Sequence, residues 1–145
     1  MTRTVRIGGA SGFWGDSSVG APQLVARGKV DYLVFDYLAE LTMSILAAAK
    51  GKDPSLGYAT DFVTVTMKSI LRDVAAQGIR VISNAGGVNP RACAEALRAL
   101  AHEQGVDVRI AVIEGDDLMP QLEALRSGVP GMPAKVLTAN AYLGA

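Results

Sequence analysis

A chain of 145 residues with 14 basic and 14 acidic side chains has no net charge, and half of it is hydrophobic although only 6% is aromatic. That balance lacks the basic surplus of a nucleic-acid surface, and no apolar stretch approaches the roughly 18 residues of a membrane span, so neither nucleic acid nor membrane is expected as a partner. The single cysteine, Cys93, excludes an intrachain disulfide and any cysteine-rich metal site, and the amino terminus runs into a strand with no apolar signal core, which reads as cytoplasmic.

Residues 1–145 fit one α/β domain, since a chain of this length buries about two thirds of its unfolded surface. Val5 to Ala10 reads as a first strand, followed by the glycine loop Ala10-Ser11-Gly12-Phe13-Trp14-Gly15-Asp16-Ser17-Ser18. Pro22 suits the first turn of a helix that ends near Gly28. Val30 to Asp36 is a nearly continuous apolar run, as in a strand covered on both faces. Leu38, Leu41, Ile45 and Leu46 then recur at helical spacing up to Lys50. Thr60 is placed to cap a helix from Asp61 to Gln77. Ile79 to Ser83 is a third strand, Asn89-Pro90 opens a helix to Gln104, and Cys93 falls in it as a small buried hydrophobe. His102 lies on that helix's polar side. Val108 to Ile113 is expected as a fourth strand, followed by a helix to Ser127, and Lys135 to Ala139 as a fifth.

Repeated strand, loop and helix predict a parallel sheet with flanking helices: a Rossmann-like open sheet first, part of a β/α barrel as the alternative. Both put ligands at the carboxyl ends of the strands. The last strand stops where its helix should begin, which reads as the amino-terminal fragment of a longer protein, or one that completes its sheet as a homo-oligomer.

The loops at those ends carry the candidates. Gly9-x-x-Gly12-x-x-Gly15 invites a dinucleotide reading, with Asp36 where a ribose-binding acid belongs. Against it, Gly15, Gly20 and Pro22 interrupt the span where the first helix should already run, and no Tyr-x-x-x-Lys pair follows. A looser anion loop built on Gly8, Gly9, Ser11 and Gly12, with Trp14 nearby, and a purely structural turn are the other readings. Asp36 and Glu40, four apart, are candidates for acid/base work or for a divalent cation, or else favour a helix dipole. Asn84, Gly86, Gly87 and Arg91 form a candidate cradle for a carbonyl, carboxylate or phosphate, while Asn89 has a sufficient role as a cap. Glu114, Asp116 and Asp117 exceed what one helix cap requires.

Taken in order, Arg6-Ile7-Gly8-Gly9-Ala10-Ser11-Gly12-Phe13-Trp14-Gly15-Asp16-Ser17, Asp31 to Glu40, Tyr58-Ala59-Thr60-Asp61-Phe62-Val63, Ser83 to Pro90, Glu114 to Leu118 and Ala139-Asn140-Ala141-Tyr142-Leu143-Gly144-Ala145 resemble the amino-terminal part of the acyclic terpene utilisation AtuA family. The resemblance covers the whole chain and implies a longer protein. It also implies bacterial breakdown of acyclic terpenes such as citronellol and geraniol, through acyl-CoA intermediates, and supplies no agreed catalytic residues. The expected function is a non-redox enzyme of lyase or hydratase type on a small acyl or acyl-CoA ligand. Asp36, Asp61, Asn84, Glu114 and Asp116 are its catalytic candidates; Gly8, Gly9, Ser11, Gly12, Trp14, Gly86, Gly87, Arg91 and Asn140 are its binding candidates. The alternatives are an NAD(P)-binding oxidoreductase domain and a non-catalytic subunit or binding module.

Overall fold

A computed structural model gives the fold, and it describes residues 4–118 together with Gln121 and Ala124. The strands are β1 (Ile7–Ser11), β2 (Tyr32–Phe35) and β3 (Arg80–Ser83). The helices are α1 (Gly20–Arg27), α2 (Glu40–Lys52), α3 (Lys68–Gln77) and α4 (Pro90–Gln104), with a π-helical stretch Phe62–Met67 running directly into α3. The three strands form a parallel sheet in the order β1-β2-β3. The chain is therefore α/β with an open parallel sheet, as the strand–helix alternation predicts.

Strand geometry sends alternate side chains to opposite faces. Gly8, Ala10, Leu33 and Phe35 are buried on one face, where they share a core with Val25 of α1, Met67, Leu71 of α3 and Leu100 of α4. The other face stays open, with Ile7 67% and Ile82 54% exposed. The apolar run of β2 predicts cover on both faces, and the described residues supply it on one. Strands in chain order with their helices on one side are what right-handed crossovers produce. The mononucleotide half of a doubly wound sheet and a sector of a β/α barrel share this arrangement.

Three local expectations need correction. Val108 to Ile113 makes no sheet pairing among the described residues. Burial alternates there, with Val108, Ile110 and Val112 half-buried and Ile113 91% exposed, so the run keeps the two-residue period of an extended chain without joining the edge of β3. Thr60 is itself helical, and no side-chain cap bond forms at this start. Asn89 holds the N-cap position of α4 as expected, but its side chain makes no cap bond; its Nδ2 donates to the carbonyls of Pro54 (2.9 Å) and Leu56 (2.7 Å), tying the loop after β3 to the loop after α2. The helix expected to end at Ser127 and the strand at Lys135 to Ala139 lie outside the described residues, apart from Leu118, Gln121 and Ala124.

Cys93 is buried, and burial pushes its thiol up to about 11. A thiolate is the nucleophile, so iodoacetamide at pH 8 is expected to leave Cys93 unmodified in the folded chain and to alkylate it fully in denaturant. Fast alkylation of the native chain would contradict this burial.

Candidate functional site

The glycine loop begins at an irregularity. Between Gly9 and Ser11 the register of β1 against β2 slips, leaving Ala10 as an extra residue. Such a bulge re-aims side chains that would otherwise alternate, and Ala10 and Ser11 both line one cavity of about 70 Å³ at the carboxyl ends of β1 and β2. Phe35 and Tyr37 supply its next wall. Leu33, Phe35 and Tyr37 keep the two-residue alternation past the end of β2, and all three are buried. Asp61, Val65 and Thr66 close the cavity from the π-helical stretch and the residue before it. Helices of this kind recur at functional sites because their wider turn displaces side chains from the ordinary helical face.

Polar contacts fix the lining. The indole N–H of Trp14 donates to Asp61 Oδ1 at 2.7 Å. The Tyr37 hydroxyl and Thr66 Oγ1 share a hydrogen bond of 3.3 Å. Phe35, Tyr37 and Phe62 pack edge to face, with centroids 5.3 to 6.2 Å apart, which holds the phenol in place. Burial pushes the Tyr37 phenol above its ordinary 10.0; the Thr66 hydrogen bond opposes this, and the negative charges of Asp61 and Asp16 add to it. Its folded value exceeds its unfolded one, so its stabilising contribution is complete below pH 10.0 and disappears as pH rises through the folded value. An ultraviolet titration should show late-ionising tyrosine that the Tyr37→Phe variant loses; an unchanged titration would refute the assignment.

Asp16 folds back over the loop. Its Oδ2 accepts the Gly12 N–H at 2.9 Å and its Oδ1 the Ser17 N–H at 2.6 Å. These bonds, Gly12's first, hold the carboxyl below the usual 3.8. The backbone donors that an anion loop would offer a phosphate thus already face a carboxylate, and Gly8 is packed beneath Leu24 and Val30. A dinucleotide pyrophosphate placed here would meet the charge of Asp16. Gly9 has open space around it.

The other candidates form separate pairs. Asn84 Nδ2 donates to Asp36 Oδ1 at 2.7 Å, while its Oδ1 accepts the Tyr37 backbone N–H at 2.7 Å. Asp36 is exposed on the side of β2 opposite Phe35 and Tyr37. Because α2 begins only at Glu40, Asp36 and Glu40 do not share a helical turn. Arg91 makes a two-pronged ion pair with Glu114, Nε to Oε1 at 2.8 Å and Nη2 to Oε2 at 2.5 Å. Asp116 is exposed further along that segment, and neither acid lines the cavity. Gly86 and Gly87 are filled by their own chain, with Pro90 against the first and Leu46 and the Gly57 carbonyl against the second. Asn140 lies outside the described residues.

Of the sequence candidates, the structure brings Ser11, Asp61 and Trp14 together and joins Asp36 to Asn84. Sequence reasoning missed Tyr37, Thr66, Asp16 and Ser17 as cavity residues. The strand alternation continued to Tyr37 was the one signal that pointed there. Among the described residues no three His, Cys, Asp or Glu side chains gather into a group that could hold a metal. A broader, open depression of about 490 Å³ lies by Arg98, His102 and Val108 at the carboxyl end of α4. That is the amino-end side of the sheet, where α/β folds do not place their chemistry, and His102 is exposed as its helix position predicts.

The model of the acyclic terpene utilisation family protein AtuA matches residues 5–145, nearly the full chain. The chain belongs to the AtuA family. Membership suggests a part in acyclic terpene utilisation and specifies no reaction. No curated protein and no solved structure matches this AtuA-family chain. Among its described residues, no helix is long and apolar enough to cross a membrane.

Proposed function

We propose that this AtuA-family chain contributes the acid/base site of a non-redox enzyme, of lyase or hydratase type, acting on a small acyl or acyl-CoA metabolite in acyclic terpene breakdown. The observation that carries the reading is that Asp61 and Tyr37 line one cavity at the strand ends. Adding water to, or removing it from, a carbon–carbon double bond beside a carbonyl needs two groups. A carboxylate takes the proton from carbon, and a protonated group gives one to the departing hydroxide, which leaves as water. Asp61 suits the first role. Tyr37, whose phenol is protonated at neutral pH even at its ordinary 10.0 and is raised further by burial, suits the second. Trp14 and Thr66 orient the two groups through the hydrogen bonds described above.

The test is to mix the chain with branched hydroxyacyl-CoA and enoyl-CoA thioesters and follow the ultraviolet absorbance of the conjugated enoyl group. Asp61→Asn and Tyr37→Phe are each expected to slow interconversion by about 10²–10⁴-fold, with folding checked by circular dichroism. Interconversion that survives Asp61→Asn at full rate would defeat the reading. Native mass spectrometry with acyl-CoA, NAD(P) and Mg²⁺ in parallel separates the alternatives: retained NAD(P) would favour an oxidoreductase domain. No ligand with oligomers dominating would favour a binding module.

A further inference from the structure

The polarity of the cavity says which end of a substrate enters it. Two of its lining residues are carboxylates, Asp16 and Asp61, and none of its described lining residues is lysine, arginine or histidine. Two amides of the adjoining glycine loop, those of Gly12 and Ser17, already bond to Asp16. Arg91 is committed to Glu114. The rest of the polar lining includes hydroxyls that keep acceptor lone pairs, Ser11, which donates to the Phe13 carbonyl at 2.9 Å, and Tyr37 and Thr66, which share one bond, between apolar walls from Ala10, Phe35 and Val65. Hydroxyl groups donate and accept, and carboxylates accept only, so the lining suits a group that itself does both.

We infer that this cavity receives a neutral, hydroxyl-bearing aliphatic end of the substrate, and that any carboxylate, thioester or phosphate portion stays outside it. The inference rests on the hydratase-type reading, and adds the orientation in which the substrate binds. Size agrees: about 70 Å³ holds an end group of a few heavy atoms and not a nucleotide. Charge agrees as well, because an anionic group in this cavity meets two like charges, the exposed Asp16 and the half-buried Asp61, with no basic side chain among its described lining to offset them. An ammonium would satisfy the carboxylates but has no lone pair to accept the one hydroxyl proton that the Tyr37–Thr66 bond leaves free.

Three probes with one carbon skeleton test this: isoamyl alcohol, isovalerate and isoamylamine. Each is titrated at pH 7 against the intact chain. Binding is read from the emission of Trp14, the single tryptophan, and from the amide resonances of Ser11 and Thr66. The alcohol is expected to bind at least tenfold more tightly than isovalerate, and Asp61→Asn to narrow that ratio by improving isovalerate. Val34, on the opposite face of β2, provides a control: Val34→Ala should leave the ratio unchanged. Isovalerate binding as tightly as the alcohol, or the amine binding tightest, overturns the orientation. In that case thioester interconversion that remains sensitive to Asp61→Asn shows that the hydratase-type reading survives. If no probe moves Trp14 or these amides, the inference falls; if interconversion is then also indifferent to Asp61→Asn, both fall.

Discussion

Phe35→Ala is expected to lower the unfolding free energy by about 3–5 kcal/mol, the range for emptying a buried aromatic site. Phe35 is 2% exposed and ends the middle strand, β2, on the core face of the sheet. It meets Phe62 and Tyr37 edge to face at 5.3 and 6.2 Å, and those two rings meet each other at 5.8 Å. Removing one ring of this triangle leaves a void that the β2 backbone cannot close, because β2 is hydrogen-bonded to strands on both sides. Domains of this size hold only about 5–15 kcal/mol in total, so the variant should melt far earlier. Urea unfolding followed by circular dichroism measures the loss, and a cost below about 1 kcal/mol would refute the packing described. Phe35→Leu should cost distinctly less, because it refills most of the volume. Tyr37→Phe keeps the triangle and removes only the hydroxyl bonded to Thr66, so comparison of these variants separates packing from site chemistry.

The sequence made the strands legible because each is a short, largely apolar run ended by glycine, aspartate or asparagine. Tyr32–Phe35 and Arg80–Ser83 lie inside the runs read for them, and β1 is displaced by two residues at its start. Helix stops at Gly78 and Gly105 were equally readable, and both are C-caps with positive φ. The site was legible as a set of loops, and much less so as a set of contacts. Trp14 to Asp61 spans 47 residues, Asn84 to Tyr37 another 47, and Asn84 to Asp36 spans 48. No local pattern encodes such pairs; they follow from which strands are neighbours and where each loop turns. Asn89 shows the converse error. Its position before a proline fits a cap so well that a local rule sufficed to explain it, yet its amide is drawn to two carbonyls more than 30 residues away. The glycines misled in the same manner. Gly86 and Gly87 read as room for a ligand, and that room is taken by Pro90, Leu46 and Gly57.

That contact makes Gly87→Ala the second large effect, with an expected loss of about 2–4 kcal/mol. Gly87 has φ +53, a left-handed conformation that costs a residue with a side chain about 1–3 kcal/mol. A Cβ there would also lie 2.5 Å from Leu46 Cδ1 and 2.7 Å from the Gly57 carbonyl oxygen. The leucine end can move; the carbonyl cannot move freely, since it accepts the Val88 N–H at 2.9 Å. Gly57 is in the same position from the other side, at φ +103 with Val88 3.1 Å from its open face. The two glycines let the loop after β3 and the loop before the π-helical stretch pass in contact, and the Ala59 N–H to Ala85 carbonyl bond of 2.8 Å completes the junction. Asp61 follows two residues beyond Ala59, so a junction forced apart should displace it from Trp14. Gly87→Ala is therefore expected to shift Trp14 emission as well as the urea midpoint. Adding Gly57→Ala should cost less than the sum of the single changes, because residues in contact are not additive. An emission spectrum unmoved alongside a full stability loss would show that the junction holds the fold together without positioning Asp61.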